Sequence, residues 1–380
     1  MSINVFVPKF HTAEILVHIK ECLDKGWTGL GFKTVEFENK WRGYTGHDNA
    51  YFLSSNTVGL HLAINIFKSE YGWNDGDEII TTPLTFVSTN HAILYERMKP
   101  VFADVDEYLC LDAESILKNI TNKTKAVLFV GIGGNIGQYE KVLEICREKN
   151  LILILDAAHM AGSKINGQHV GLDADVTVYS FQAVKNLPTG DSGMICFKEE
   201  HLDKKARKQG WLGISKDTYE RFNKNENSYK WKYNVEEVGF KYHGNSIMAS
   251  IGLVQLNYLE EDNNRRREIA NIYEDLLKNN DKVKIVKTAP NCISSKHLFQ
   301  ILVDNRDDII QFFYDNNIYP GVHYISNIEY PMYNYAEGTC PNATLKSEQL
   351  ITLPIHLKLS NEEIHEVVEV LNKALLLFNK

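Results

Sequence analysis

No stretch of this sequence approaches the roughly 20 consecutive apolar residues needed to cross a bilayer, so a membrane-spanning helix is not expected. The chain also lacks an excess of positive charge. Its 49 acidic and 41 basic residues leave a net charge of −8, which gives nucleic acid no broad electrostatic footprint. The opening residues, MSINVFVPKFHTAEILVHIK, have charges scattered through them and no apolar core before a small-residue cleavage site, unlike a secretory signal. Cysteine is scarce. Cys22, Cys110, Cys146, Cys196, Cys292 and Cys340 are widely spread, with no C-x-x-C and no cluster with histidine. This predicts reduced, structural thiols in a cytoplasmic protein and no metal site. Repeats and low-complexity tracts are absent too.

What the sequence does have is a long alternation of strands and helices. At 380 residues the chain exceeds the size at which one core usually stops growing, which predicts two lobes. AYFLSS (50–55), DEIITTP (77–83), PVFADVD (100–106), KAVLFVGIG (125–133), LILILD (151–156) and DVTVYSF (175–181) read as strands. Helical patterns separate the first five, as in TVGLHLAINIFKSEYG, where Leu60, Ile64 and Phe67 recur at helical spacing. Continuous apolar strands between helices predict an α/β fold with a largely parallel sheet covered on both faces. Residues 12–45 read as one helix and a connecting segment broken by the glycines of GWTGLGFK. From about residue 250 the character changes to a long bridging helix, the strands KVKIV, HLFQILV and GVHYI, the helix DIIQFFYDN and a terminal helix opened by SNEE, a capping box. The expected division is residues 1–250 as a large α/β domain and 251–380 as a smaller α+β domain.

In such sheets, ligands sit beyond the carboxyl ends of the strands. Ser55 and Thr57, Thr85 and Phe86, Asp156 and His159, and Ser180 and Lys185 all fall at those ends. Lys185 stands in SFQAVKNLPTGDSGM, and between Val176 and Met194 the only other ionisable side chains are Tyr179 and Asp191. Lysine is usually a surface residue, so this stretch alone does not decide its role. Asp156 can be a turn cap, His159 a loop histidine, and Ser55 and Asn56 ordinary helix caps. One chemistry would use them all. A pyridoxal phosphate enzyme needs a lysine for a Schiff base, a carboxylate for the pyridine nitrogen, a helix N-terminus for the phosphate and a flat group against the ring. Lys185, Asp156, Ser55 and Thr57 with Ser180, and Phe86 are the respective candidates.

The motifs then resemble one family in order along nearly the whole chain. SSNTVGLHLA stands where the DegT/DnrJ-type sugar aminotransferases have S-G-T-A-A-L-x-L-A. TTPLTFVSTNHAI is similar to their P-x-T-F-x-x-T-x-N-A-I, and LDAAHMAGSKINGQHVG to D-A-A-[QH]-x-x-G-x…G-x-x-x-G. SFQAVKNLPTGDSGM resembles S-F-x-x-x-K…G-E-G-G-M. GWTGLGFKTVEFENKW, PVFADVD, EVGFKYHGNSIMASIGLVQL, HLFQILV, GVHYI and ITLPIHLKLS keep the family order. The sequence departs from the pattern at Asn56 (glycine in the family), Leu155 (commonly acidic), Asp191-Ser192 (Glu-Gly), Lys241 (Asn) and His243 (Arg).

The resemblance implies a fold-type I aminotransferase-like architecture and a pyridoxal/pyridoxamine phosphate (PLP/PMP) cofactor. It implies Lys185 as Schiff-base lysine and proton shuttle, Asp156 on the pyridinium nitrogen, and His159 bracing the ring oxygen or Asp156. Phe86 would stack on the ring, and Ser55, Asn56, Thr57 and Ser180 would hold the phosphate. Lys241 is either a surface lysine or a replacement for the Asn that reaches the partner's phosphate in a homodimer with shared active sites. The implied substrates are a nucleoside-diphosphate keto-6-deoxy sugar and an amino donor, with glutamate implied by the family alone, in aminosugar or surface-glycan biosynthesis. Histidine at 159 leans to amination at C4 over C3. Trp27, Thr28, His323 and Tyr324, and Tyr242 and His243 from the partner, are the candidate substrate contacts. Three readings compete: a sugar 3-dehydratase of the same fold, whose lysine is replaced by histidine; a transaminase of small amino acids; and a non-catalytic PLP-binding regulator. Lys185 argues against the first, the terminal motifs against the second, and the intact lysine–aspartate pair against the third.

Overall fold

A computed structural model describes residues 2–214 and 233–378. Its centre is a seven-stranded sheet. In spatial order the strands are Tyr51–Leu53, Gly193–Phe197, Val176–Ser180, Ile152–Asp156, Thr124–Val130, Glu78–Thr81 and Lys99–Phe102. The last five pair parallel, while Gly193–Phe197 runs antiparallel to both of its neighbours. The expected strands are present but shorter than their apolar runs. Gly193–Phe197, which carries the end of the lysine motif, is an additional member.

Alternation decides which face each strand residue covers, even where the run is apolar throughout. On Thr124–Val130, Val127 and Phe129 enter one core with Phe37, Trp41 and Phe181. Ala126, Leu128 and Val130 point the other way, against Leu60, Ile64 and Phe67 of the helix Asn56–Tyr71. Burying each large apolar side chain contributes roughly 1.5–3 kcal/mol.

The segment expected as one helix and a connection contains two helices, Thr12–Asp24 and Phe32–Thr45. Gly31 caps the second, with its N–H donating to Thr34 Oγ1 at 3.1 Å. The helix Ser246–Leu277 is 32 residues long, and the boundary expected near residue 250 falls inside it. Its Ala249, Leu253 and Leu259 belong to the core beside the large sheet. Ile269, Ala270, Tyr273 and Leu277 belong to a second core with Phe299, Phe313 and Leu371. That second core packs on a three-stranded sheet, in the order Lys284–Ile285, Phe299–Leu302, Leu350–Leu353. The expected capping box is formed: Ser360 N–H donates to Glu363 Oε2 (2.8 Å) and Glu363 N–H to Ser360 Oγ (3.2 Å). GVHYI is not a strand. Only Gly321 bridges, to Thr352, because the following residues leave the sheet edge to line a cavity. The six cysteines are all free. Among the described residues, no helix is long and apolar enough to cross a membrane, and no group of His, Cys, Asp and Glu could hold a metal ion.

The helix Asn56–Tyr71 is seated on the sheet through Gly59. A Cβ there would lie 2.6 Å from Val178 Cγ1 and 3.1 Å from Leu53 Cδ1. Gly59→Ala is expected to push the helix off the strand and cost about 1–3 kcal/mol, as overpacking does. Urea unfolding checks this: an unchanged midpoint would show that the contact is not tight.

Candidate active site

The carboxyl ends of the parallel strands open into a cavity of about 420 Å³, within the range of small-molecule sites. Ser55, Asn56, Thr57, Phe86, Asp156, His159, Ser180, Lys185, His323 and Tyr324 all line it. Sequence reasoning passed over Phe6, Thr89 and His297, which also line it.

Asp156 ends its strand and is 3% exposed. Three donors hold its carboxylate. Thr89 Oγ1–H donates to Oδ2 at 2.8 Å, Ala158 N–H to Oδ1 at 3.1 Å, and Asn56 Nδ2–H to Oδ1 at 3.2 Å. Since the Thr89 hydroxyl gives its proton to Asp156, the Thr85 hydroxyl 3.0 Å away donates to Thr89. A carboxylate has about four acceptor positions, so one remains, on Oδ2, for a further proton donor. Burial pushes the Asp156 pKa up, while Thr89, Ala158, Lys185 and Asn56 pull it back.

Lys185 lies in the turn between Val176–Ser180 and Gly193–Phe197, with its N–H donating to Gln182 O. Burial lowers its pKa to about 8, against the opposing pull of Asp156. Its ammonium makes no hydrogen bond among the described residues, so the amine is available to a ligand.

His159 is buried and its pKa is held well below the usual histidine value, by burial first and by Lys185 second. The ring is therefore neutral. Gly133, in a turn that requires its φ of +62°, donates its N–H to His159 Nδ1 at 3.1 Å. The ring proton then sits on Nε2 and is donated to Tyr324 Oη, 3.2 Å away. This leaves the Tyr324 O–H to donate elsewhere. His159 makes no hydrogen bond to Asp156, so bracing of the carboxylate is not what its ring does. His297 packs 4.3 Å from His159, centroid to centroid, and stacks on Phe6 at 5.3 Å. Burial lowers the pKa of His297 and His323 as well, the latter to about 4.

Ser55 caps the helix Asn56–Tyr71, its Oγ accepting from Val58 N–H at 3.3 Å. The first-turn N–H groups of that helix and the hydroxyls of Ser55, Thr57 and Ser180 suit an anion such as a phosphate. Gly193 lets its strand approach this turn, since a Cβ there would lie 2.7 Å from Ser55 C. Phe86 is 57% exposed and presents its ring to the cavity, 5.9 Å from Tyr324. The set fits pyridoxal phosphate: a free amine, a carboxylate with one acceptor position left, an anion-binding helix end and an exposed ring.

The remaining sequence candidates do not line this cavity. Trp27 Nε1–H donates to Leu30 O at 2.7 Å, and Thr28 O accepts from Ser246 N–H. The Lys241 ammonium sits 3.4 Å over the Trp211 ring, and Tyr242 Oη is 2.9 Å from His61 Nδ1. His243 bridges Leu53 and packs edge-on against Trp211.

Comparison with known proteins places the chain in a family. The sequence profile of the DegT/DnrJ/EryC1/StrS aminotransferase family matches residues 10–372. The chain is 33% identical over 378 residues to the dTDP-4-dehydro-2,3,6-trideoxy-D-glucose 4-aminotransferase of Saccharopolyspora spinosa, covering 98% of this chain and 96% of that one. The crystal structure of the aminotransferase TlmJ from Streptoalloteichus hindustanus superposes with a TM-score of 0.91 at 31% identity, over 99% of this chain and 100% of that one. The PLP-form and PMP-form structures of Spr1654 from Streptococcus pneumoniae give TM-scores of 0.89 and 0.90 at 26% and 27% identity, covering 98% and 100% of this chain and all of theirs. The chain therefore belongs to the DegT/DnrJ/EryC1/StrS aminotransferase family, the PLP-dependent transaminases that act on sugars.

Proposed function

We propose that this protein moves an amino group from glutamate to C4 of a keto-6-deoxy sugar carried on a nucleoside diphosphate. The observation that carries the reading is Lys185 facing Asp156 across one cavity, with an anion-binding helix end beside them. The 33% identical relative whose name specifies a 4-aminotransferase supports C4 over C3, as does histidine at position 159.

Lys185 Nζ would hold pyridoxal phosphate by a Schiff base, Asp156 would accept a hydrogen bond from the protonated ring nitrogen, and Phe86 would lie on the ring. Ser55, Asn56 and Thr57 at the helix end, with Ser180, would take the phosphate. The bound cofactor supplies an electron sink for the carbon that loses a proton. With a pKa of about 8, the Lys185 amine is neutral in an appreciable fraction near pH 7 and takes up a proton readily. It serves as the base that lifts a proton from the donor carbon and later returns one to the sugar. The neutral histidines near it hold no competing charge. Tyr324 offers its O–H to an oxygen in the cavity, and His159, locked by Gly133, fixes the direction of that hydrogen.

The cavity wall contains no Lys or Arg besides Lys185 among the described residues, so a sugar diphosphate needs counter-charges from outside it. We infer that a second copy supplies them, with Lys241, Tyr242 and His243 of one chain entering the cavity of the other. The exposed Val235 (61%) and Val238 (94%) beside this segment fit a buried contact.

Five outcomes check the proposal. Added glutamate should convert the visible absorbance of the PLP-loaded protein to that of the pyridoxamine form. Lys185→Ala should form no lysine-linked band and lose at least about 10²–10⁴-fold in turnover. No response to glutamate or to any other amino donor would sink the mechanism. Matched 4-keto and 3-keto nucleoside-diphosphate sugars should show amination of the former, read by mass spectrometry; exclusive use of the 3-keto sugar would reverse the C4 assignment. Light scattering should give twice the chain mass, and Lys241→Ala should raise KM for the sugar nucleotide more than it lowers kcat. A monomer with full activity would remove the shared site.

A further inference from the structure

Asn56 stands where the resemblance puts a glycine, and a glycine would leave the neighbouring carboxylate one donor short. Asn56 is 7% exposed, at the first residue of the helix Asn56–Tyr71. Both Nδ2 hydrogens are used. One goes to Asp156 Oδ1 at 3.2 Å and the other to Val178 O at 3.0 Å. The amide orientation is not arbitrary, because turning it over would put Oδ1 against two acceptors. Asn56 thus ties the anion-binding helix end to both the carboxylate strand and the strand that leads to Lys185.

We propose that Asn56 is a positioning residue that keeps Asp156 ionised and aimed into the cavity, and so sets how firmly the bound cofactor holds its ring-nitrogen proton. This role belongs to the Asn56 side chain, not to the backbone N–H expected at the phosphate, and rests on the cofactor assignment alone. Asp156 is buried, and each donor to it favours the ionised form. Thr89 serves Oδ2; Asn56 and Ala158 serve Oδ1. The other titratable groups around the cavity are Lys185, Tyr324, His159, His297, His323 and Asp191. Of these, Lys185 stabilises the Asp156 charge, while the histidines are held neutral by burial.

The sign of the effect follows. Without Asn56, Asp156 keeps its own proton more readily and the ring nitrogen loses its anionic partner. A ring nitrogen without its positive charge no longer repels the proton on the Schiff-base nitrogen, which then persists to higher pH. The test is a pH titration of the visible band of the PLP-loaded protein, with the PLP dissociation constant measured in parallel. Neither readout needs a sugar or an amino donor, so a failure of the C4 reading leaves this test intact. Asn56→Asp has the same shape but sets a second carboxylate against Asp156 Oδ1. It is expected to raise the titration midpoint by about one unit or more and to weaken PLP binding about tenfold or more. Asn56→Ala, which adds no charge, is expected to move both readouts the same way by less, and it serves if Asn56→Asp does not fold. A midpoint unchanged in the folded variants would overturn the proposal, even with lowered thermal stability, since Asn56 would then merely join helix to strand.

Discussion

Removing an ammonium and a carboxylate from water costs several kcal/mol for each ion, and one cavity in this protein contains both. Lys185 and Asp156 do not form a hydrogen-bonded pair. Hydrogen bonds compensate only the carboxylate. Asp156 receives three hydrogen bonds, from the helix Asn56–Tyr71, the helix Val87–Tyr95 and the turn after its own strand. The relative placement of those elements is therefore tied to one carboxylate. Lys185 has no such partners, and burial lowers its pKa against the pull of Asp156. The asymmetry suits a site where the acid is held in place by hydrogen bonds while the amine gains and loses a proton.

The histidines extend the same logic. His159, His297 and His323 crowd one side of the cavity, and three imidazolium ions there would repel one another and Lys185. Burial keeps them neutral, so they act as shaped, polar walls with fixed donor and acceptor ends. The Gly133–His159–Tyr324 relay shows what this gains. A backbone N–H at one end sets the direction of a hydroxyl hydrogen at the other, with no net charge moved.

Much of this was legible in the sequence because the chemistry sits at strand ends. LILILD announces its terminus by changing from apolar residues to Asp156, and DVTVYSF carries Ser180 near its end, with Lys185 five residues on. Thr89 was less visible. It lies one helical turn beyond Thr85, and only the three-dimensional approach of that helix to Asp156 reveals its hydroxyl as a donor. Phe6 and His297 had no local signal, since each reaches the cavity from a segment remote in sequence. GVHYI misled for a related reason. Its alternating apolar pattern fits a strand, but His323 and Tyr324 are placed by the cavity and not by a ladder of backbone bonds. The role of Asn56 was also hidden, because a cap position explains an asparagine without reference to what its side chain meets.

The strand Ile3–Asn4 pairs in parallel with Ile318–Tyr319. On a ribosome adding roughly 5–20 residues each second, the first strand waits on the order of 15–60 s for a partner to emerge. Phe6, two residues beyond that strand, waits with it, and so does its stacking on His297. The large sheet can assemble long before then, with the helix Asn56–Tyr71 and Asp156 already in place. A nascent chain would thus carry the floor of the cavity before it has the wall, and the cavity closes only once Ile318 and Tyr319 have emerged.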